Sequence, residues 1–185
     1  MRLGAVLMAS GSGQRFGGNK LLFPVKGIPL AQRAMDALPA ELFERVAVCS
    51  PYGELLALAE KRGYLPLRNE WAREGISASI RLGLSRLSDM DGVLFSVCDQ
   101  PFLTAESIAR LVYAFWETPD FICALAWQGR RGNPALFPAG LFPELRALSG
   151  DTGGGAVIRA HFDRLRLVEA CLPEELRDVD TLKDL

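Results

Sequence analysis

The run from Leu3 to Met8 is almost continuously apolar, the mark of a strand covered on both faces. Arg45 to Cys49, Tyr64 to Leu67, Gly92 to Val97, Phe121 to Ala126, Ala135 to Phe137 and Leu165 to Val168 read as further strands. Between them the period lengthens to that of a helix. Pro29 to Leu38 places Leu30, Ala34, Ala37 and Leu38 on one side, and Ser77 to Leu87 does the same with Ile80, Leu84 and Leu87. Helices are also expected at Glu54 to Lys61, Leu141 to Leu148 and Gly155 to Ala160, and Thr104 is placed to cap one that runs to Phe115. Arg130 to Pro134 reads as a turn into the strand at Ala135. Strands alternating with helices predict a three-layer α/β/α sandwich around a mostly parallel sheet. Ligands on such sheets bind beyond the carboxyl ends of the strands. The glycine-rich stretch after Met8 and the Asp99 that follows Val97 both fall at such ends, so one cleft is expected to hold them.

Composition narrows the class. The 185 residues fit a single domain spanning 1–185, and 49% of them are hydrophobic, enough for a core without disulfides or a structural metal. With 21 basic and 22 acidic residues, the chain carries no charge excess suited to nucleic acid or an anionic membrane. Cys49, Cys98, Cys123 and Cys171 are far apart and form no CxxC pair, so they read as reduced thiols. The lone His161 supports neither a zinc site nor a Ser-His-Asp triad and reads as a helix-end residue. No apolar run approaches the roughly 20 residues that span a bilayer. Met1 to Ser10 has the charge and apolar stretch of a weak signal peptide, but it leads straight into Gly11-Ser12-Gly13 and reads as a first strand; a cytoplasmic protein is expected. Phe115, Trp116 and Trp127 are assigned to the core or a subunit contact.

The glycine-rich stretch matches neither of two familiar phosphate loops. Gly13 and Gly18 have Walker A spacing, but Asn19 follows, and Lys20 comes one place late with Leu21 after it. Gly11-Ser12-Gly13 opens a dinucleotide fingerprint, but Phe16 stands at its last position, and the second strand ends in Cys49-Ser50 without a ribose-binding acid. What remains is a loop of small residues whose N–H groups can approach a polyphosphate, with Arg15 and Lys20 adding positive charge. Asp99, after a buried strand and before Gln100-Pro101, is suited to hold Mg²⁺ or to bond its own turn.

Met8-Ala9-Ser10-Gly11-Ser12-Gly13-Gln14-Arg15-Phe16-Gly17-Gly18-Asn19-Lys20 resembles the signature L-A-[AG]-G-x-S-x-R-[MF]-G-x-x-K of nucleotidyltransferases that include the molybdenum cofactor cytidylyltransferases and guanylyltransferases. The resemblance continues through Asn69 to Gly83, Cys98-Asp99-Gln100-Pro101, Arg131 to Phe137, Gly150-Asp151-Thr152-Gly153-Gly154 and Asp178 to Leu185, in order along the chain. Besides Met8 in place of Leu, two departures matter. Ser10 stands where the cytidylyl enzymes have Ala and the guanylyl enzymes Gly, and Gly13 stands where most have Ser.

The resemblance implies a Rossmann-like nucleotidyltransferase fold and a cytidylyltransferase that moves CMP from CTP to a molybdopterin-type cofactor, with Mg²⁺ as cofactor and pyrophosphate as leaving group. It implies that Ala9, Ser10, Gly11, Ser12, Gly13, Arg15 and Lys20 bind the nucleotide, with Asn69, Gly75 and Ser79 near base and ribose. It makes Arg15, Lys20 and Asp99 catalytic, Asp99 and Asp180 metal ligands, and Gly132, Asn133, Pro134 and Asp151 acceptor-binding. A molybdenum hydroxylase is implied as recipient of the product. Plainer readings stand beside these. Asp178 or Asp180 can cap a last helix, Asp151 or Thr152 can cap the helix that follows them, Ser77 to Ser79 can be an N-cap and packed face, and Arg130 and Arg131 can be solvated. GTP in place of CTP, a sugar or alcohol phosphate as acceptor, and a non-catalytic nucleotide binder remain alternatives.

Overall fold

The structure, a computed structural model, describes residues 1–11, 19–181 and 184. In chain order the strands are β1 (Leu3–Met8), β2 (Pro24–Val25), β3 (Ile28–Pro29), β4 (Arg45–Ser50), β5 (Leu65–Arg68), β6 (Gly92–Val97), β7 (Ile122–Trp127), β8 (Arg130–Pro138) and β9 (Leu165–Glu169). The helices are α1 (Leu30–Asp36), α2 (Gly53–Lys61), α3 (Ile76–Arg86), α4 (Ala105–Glu117), α5 (Phe142–Ala147) and α6 (Gly155–Ala160). Seven strands form one sheet in the order β5-β4-β1-β6-β8-β7-β9, and β2 and β3 form a small antiparallel pair apart from it. Only β8 runs against its neighbours, so the sheet is mostly parallel, as the alternating pattern predicts.

Strand periodicity sorts the side chains to two faces. Leu3, Ala5 and Leu7 of β1, Val46 and Val48 of β4 and Leu94 of β6 pack with α1, α2 and α4. Val6, Ala47, Cys49, Val93 and Phe95 turn the other way and pack with α3, α5 and α6. Both faces are dry, which is why these strands read as continuous apolar runs. Thr104 caps α4 as expected, its hydroxyl accepting from Ser107 N at 3.2 Å. Burial pushes the Cys49 thiol up to about 12 and the Cys123 thiol to about 11, and all four cysteines are unbridged.

One turn is displaced from its expected place. Arg130 to Pro134 belongs to β8, and the reversal lies at Gln128-Gly129, both with positive φ (49° and 77°). Trp127 pairs with Arg130, so this is a two-residue hairpin of the kind that demands such backbone values and takes glycine readily.

The arrangement aligns strand ends. Met8 is level with Cys49 of β4 and with Val97 of β6, so the segments beginning at Ala9, Pro51 and Cys98 leave the sheet side by side.

Candidate active site

A cavity of about 1240 Å³ opens at those strand ends, lined among others by Ser10, Gly11, Lys20, Asn69, Gly75, Ser79, Asp99 and Asp151. It exceeds the roughly 300–1,000 Å³ of an ordinary small-ligand pocket. The expected cleft joining the loop after β1 to Asp99 is therefore present. Ala9 is buried beneath it, its N–H donating to Cys49 O at 2.9 Å. Ser12, Gly13 and Arg15 lie outside the described residues.

At one end the site is ionic. The Lys20 ammonium donates to Asp99 Oδ2 at 2.9 Å, to Asp180 Oδ1 at 3.0 Å and to the Val179 carbonyl at 3.2 Å. Burial alone would lower the Lys20 pKa, but the hydrogen bonds and charges of Asp99 and Asp180 outweigh it, and the pKa is raised. Asp180 reaches this point from far along the chain because Val179 anchors it: the Val179 N–H donates to Asp99 O at 2.9 Å, and its side chain is buried with Val25 and Leu30. Asp178 accepts from Gln100 Nε2 at 2.9 Å. Desolvation raises the Asp178 carboxyl above its ordinary range, and the like charges of Asp99 and Asp180 add to the shift.

These oxygens fit a divalent ion. Two carboxylates and a carbonyl converge on one point held by a cation, and hard oxygen donors are what Mg²⁺ or Mn²⁺ takes. Among the described residues no cluster of three acidic, histidine or cysteine side chains forms a closed cage. That suits an ion bound by one or two carboxylates and completed by substrate phosphates.

At the other end the site is neutral and hydrogen-bonded. Asn69 is fully buried, and its Nδ2 donates to Ser10 Oγ and Ser79 Oγ, each at 3.0 Å. Ser79 Oγ donates to Ser10 Oγ at 3.1 Å, and Ser10 Oγ donates to Cys49 O at 3.2 Å. Every polar hydrogen of the three side chains is thus committed, which fixes the amide orientation. Asn69 Oδ1 is left as a buried acceptor with no partner among the described residues.

Gly75 has a structural demand as well as a place in the cavity. Its φ is 101°, and a Cβ there would lie 2.5 Å from the carbonyl carbon and oxygen of Gly150. That close approach lets Asp151 Oδ1 accept from Ile76 N, at 3.4 Å, across the start of α3. Asp151 therefore meets a distant helix, whereas the helix after it, α6, is preceded by Gly154 at its cap position. Ser77 is not a cap either: Gly75 holds that position, and the Ser77 hydroxyl accepts from Arg81 at 3.0 Å. The acceptor set expected from sequence divides. Asp151 lines the cavity, whereas Gly132, Asn133 and Pro134 lie on β8 outside its lining, with Gly132 packed against Leu176.

Three residues to which the sequence assigned no role also shape the site. Tyr52 donates from its hydroxyl to Gly11 O at 3.1 Å, tying the end of β4 to the loop after β1. Gln100 holds Asp178 beside the ionic cluster. Glu175, fully buried, accepts from Thr104 N and Oγ1 at 3.0 and 2.9 Å and from Leu172 N at 2.9 Å. This clip fastens the segment that carries Asp178 and Asp180 to the start of α4. Glu175 is the third residue of a short 3₁₀ turn, Pro173–Leu176, that opens with proline, so its bond to Leu172 N follows a local capping pattern, whereas its reach to Thr104 has no local signal.

A family model described as a MobA-like NTP transferase domain matches residues 5–165. The purine catabolism protein PucB of Bacillus subtilis is 24% identical, over 95% of this chain and 90% of its own length. A molybdenum cofactor guanylyltransferase of Cupriavidus metallidurans is 29% identical, over 97% of this chain and 91% of its own. Among solved structures, a nucleotidyl transferase from Methanothermobacter superposes with a TM-score of 0.83 at 22% identity, covering 99% of this chain and 94% of that one. The molybdenum cofactor transferase named among these relatives is guanylyl, so the cytidylyl branch that the motifs favour finds no support there.

Proposed function

We propose that this chain, which belongs to the MobA-like NTP transferase family, transfers a nucleoside monophosphate from an NTP to the terminal phosphate of a molybdopterin-type cofactor and releases pyrophosphate. One observation carries the reading: Lys20, Asp99 and Asp180 converge within hydrogen-bonding distance at the strand ends, on the rim of a cavity larger than one ligand needs. A binder without chemistry has no need of paired carboxylates beside a buried lysine.

In this reading an oxygen of the acceptor phosphate attacks the α-phosphorus, and the bond from that phosphorus to the α–β bridging oxygen breaks as pyrophosphate departs. No protein nucleophile takes part, so catalysis is positioning and charge stabilisation. Asp99 and Asp180 would hold a divalent ion, with Mg²⁺ as the proposed ion; when bound it would offset the phosphate charge. Lys20 meets charge growing at the α-phosphate, and Arg15 is assigned to the leaving pyrophosphate. Ser10, Asn69 and Ser79 face the nucleoside with a fixed acceptor, and Asp151 steadies the wall at α3. A molybdenum hydroxylase as recipient rests on the sequence resemblance alone.

GTP is the nucleotide that the guanylyltransferase relative favours. One feature favours CTP instead. Where the guanylyl pattern has glycine, Ser10 places a hydroxyl held by Asn69 and Ser79 at the cavity lining, and in this reading that side chain fills space a purine would need. Pyrophosphate release with Mg²⁺ and molybdenum cofactor, comparing GTP, CTP, ATP and UTP, decides between them. Release with GTP alone supports the guanylyl reading and release with CTP alone the cytidylyl one. Release that does not need the molybdenum cofactor contradicts the proposed acceptor.

A further inference from the structure

Lys20 stands where the divalent ion would stand. Its ammonium lies 2.9 Å from Asp99 Oδ2, 3.0 Å from Asp180 Oδ1 and 3.2 Å from the Val179 carbonyl. A divalent ion on the same oxygens would sit about 2.1 Å from each. Both cations cannot share that point, because they would overlap and repel. The lysine is also well seated: it is only 8% exposed, and its Cε passes 3.9 Å from the place of a Cβ on Gly11, alongside the loop after β1.

We propose that Lys20 is a resident cation of the metal site, filling the ion's place in the nucleotide-free protein and moving onto the phosphates when ion and nucleotide arrive together. The inference rests on the reading above, in which Asp99 and Asp180 hold that ion. Charge explains the coupling. With Lys20 in place the cluster of two carboxylates and one ammonium carries a net −1. With a divalent ion added the two carboxylates are neutralised and the displaced ammonium is left over as a net +1, a state that a polyphosphate stabilises and empty solvent does not. An ion arriving alone must break two ion pairs and leave the ammonium without a partner. An ion arriving with a nucleotide gives the ammonium phosphate oxygens to move to. Lys20 thereby biases the site against free divalent ions and toward the metal–nucleotide complex.

The test is Mn²⁺ binding, read by the electron paramagnetic resonance signal of free Mn²⁺, on wild type and Lys20→Met with and without a non-hydrolysable NTP analogue. Without nucleotide, the variant is expected to bind Mn²⁺ at least tenfold more tightly than wild type. The analogue is expected to tighten Mn²⁺ binding in wild type at least tenfold more than in the variant. Asp99→Asn should abolish the site in both backgrounds. Equal or weaker Mn²⁺ binding by Lys20→Met overturns the resident-cation proposal and leaves the metal reading standing. Absence of binding in wild type and variant, with and without the analogue, overturns both. A measurement on the unaltered protein guards against misfolding of the variant. Acetylation of Lys20, followed by mass spectrometry, should rise several-fold as Mn²⁺ is added without nucleotide, while the exposed Lys26 and Lys61 stay constant. Unchanged Lys20 reactivity at saturating Mn²⁺ contradicts the proposal.

Discussion

The two ends of the cavity are built on opposite principles. At the Lys20–Asp99–Asp180 end, charges meet in partial contact with water: the Asp99 and Asp180 side chains are 24% and 61% exposed, and the ammonium between them is nearly buried. At the Ser10–Asn69–Ser79 end there is no formal charge, and the hydrogen-bond donors are used up internally. Partners at the first end are of a kind that can be exchanged, since carboxylate oxygens accept other cations and an ammonium accepts other anions. The second end is fixed, because rotating the amide would set a donor against nothing and lose two bonds. Under the proposed function, the contrast separates reactivity from orientation within one cavity.

The largest expected effect lies at the ionic end. Asp99→Asn keeps size and removes charge, and should cut kcat by about a thousandfold, the upper range for losing one preorganised electrostatic group. Lys20→Ala should cost about a hundredfold in kcat with a small change in KM. A raised KM at normal kcat would show that Lys20 only binds ground-state phosphate. Glu175→Ala tests the clip that delivers Asp180. Three donors lose their acceptor, so stability should fall by about 2–3 kcal/mol, and the Tm by roughly 5–10 °C for a chain of this size. The check is thermal unfolding followed by circular dichroism.

Effects at the neutral end should be smaller and of another kind. Asn69→Ala should lower kcat/KM by roughly tenfold, chiefly through KM, because an orienting acceptor is lost and the charged groups remain. A loss confined to kcat would erase the distinction between the two ends. The smallest effect belongs to Asp178. Desolvation and neighbouring carboxylates raise its pKa from 3.8, so ionising it opposes folding, and its contribution to stability declines as pH rises through that window. Asp178→Asn should therefore give a slightly higher Tm than wild type at pH 7. The difference should vanish below about pH 3.8, where both side chains are neutral.

The hydrophobic pattern made the layers legible because both faces of the sheet are dry. Runs such as Leu3 to Met8 and Gly92 to Val97 had no other plain reading, and Thr104 announced α4 by its chemistry. The hairpin at Gln128-Gly129 was misplaced because Gly132, Asn133 and Pro134 look like turn residues, although here they form part of β8. In the site, Lys20, Asp99 and Asp180 were legible through motif resemblance. Their mutual contact was not, since it depends on the Val179 N–H meeting Asp99 O across 80 positions of chain. Asp151 illustrates the same limit: the local rule made it a cap for its own helix, while tertiary packing gave it to α3. Tyr52 reaches Gly11 through one long-range bond and Glu175 reaches Thr104 through two, and such contacts leave no periodic trace.

The central claim, nucleotidyl transfer at the Asp99–Asp180–Lys20 cluster, is tested most directly by identifying the product. Purified protein, Mg²⁺, molybdenum cofactor and the preferred NTP should yield, by mass spectrometry, a cofactor heavier by one nucleoside monophosphate and an equal amount of pyrophosphate. Both should fall together by about a thousandfold in Asp99→Asn. Nucleotide consumed without any gain in the cofactor's mass, or a product formed equally well by Asp99→Asn, would contradict the account.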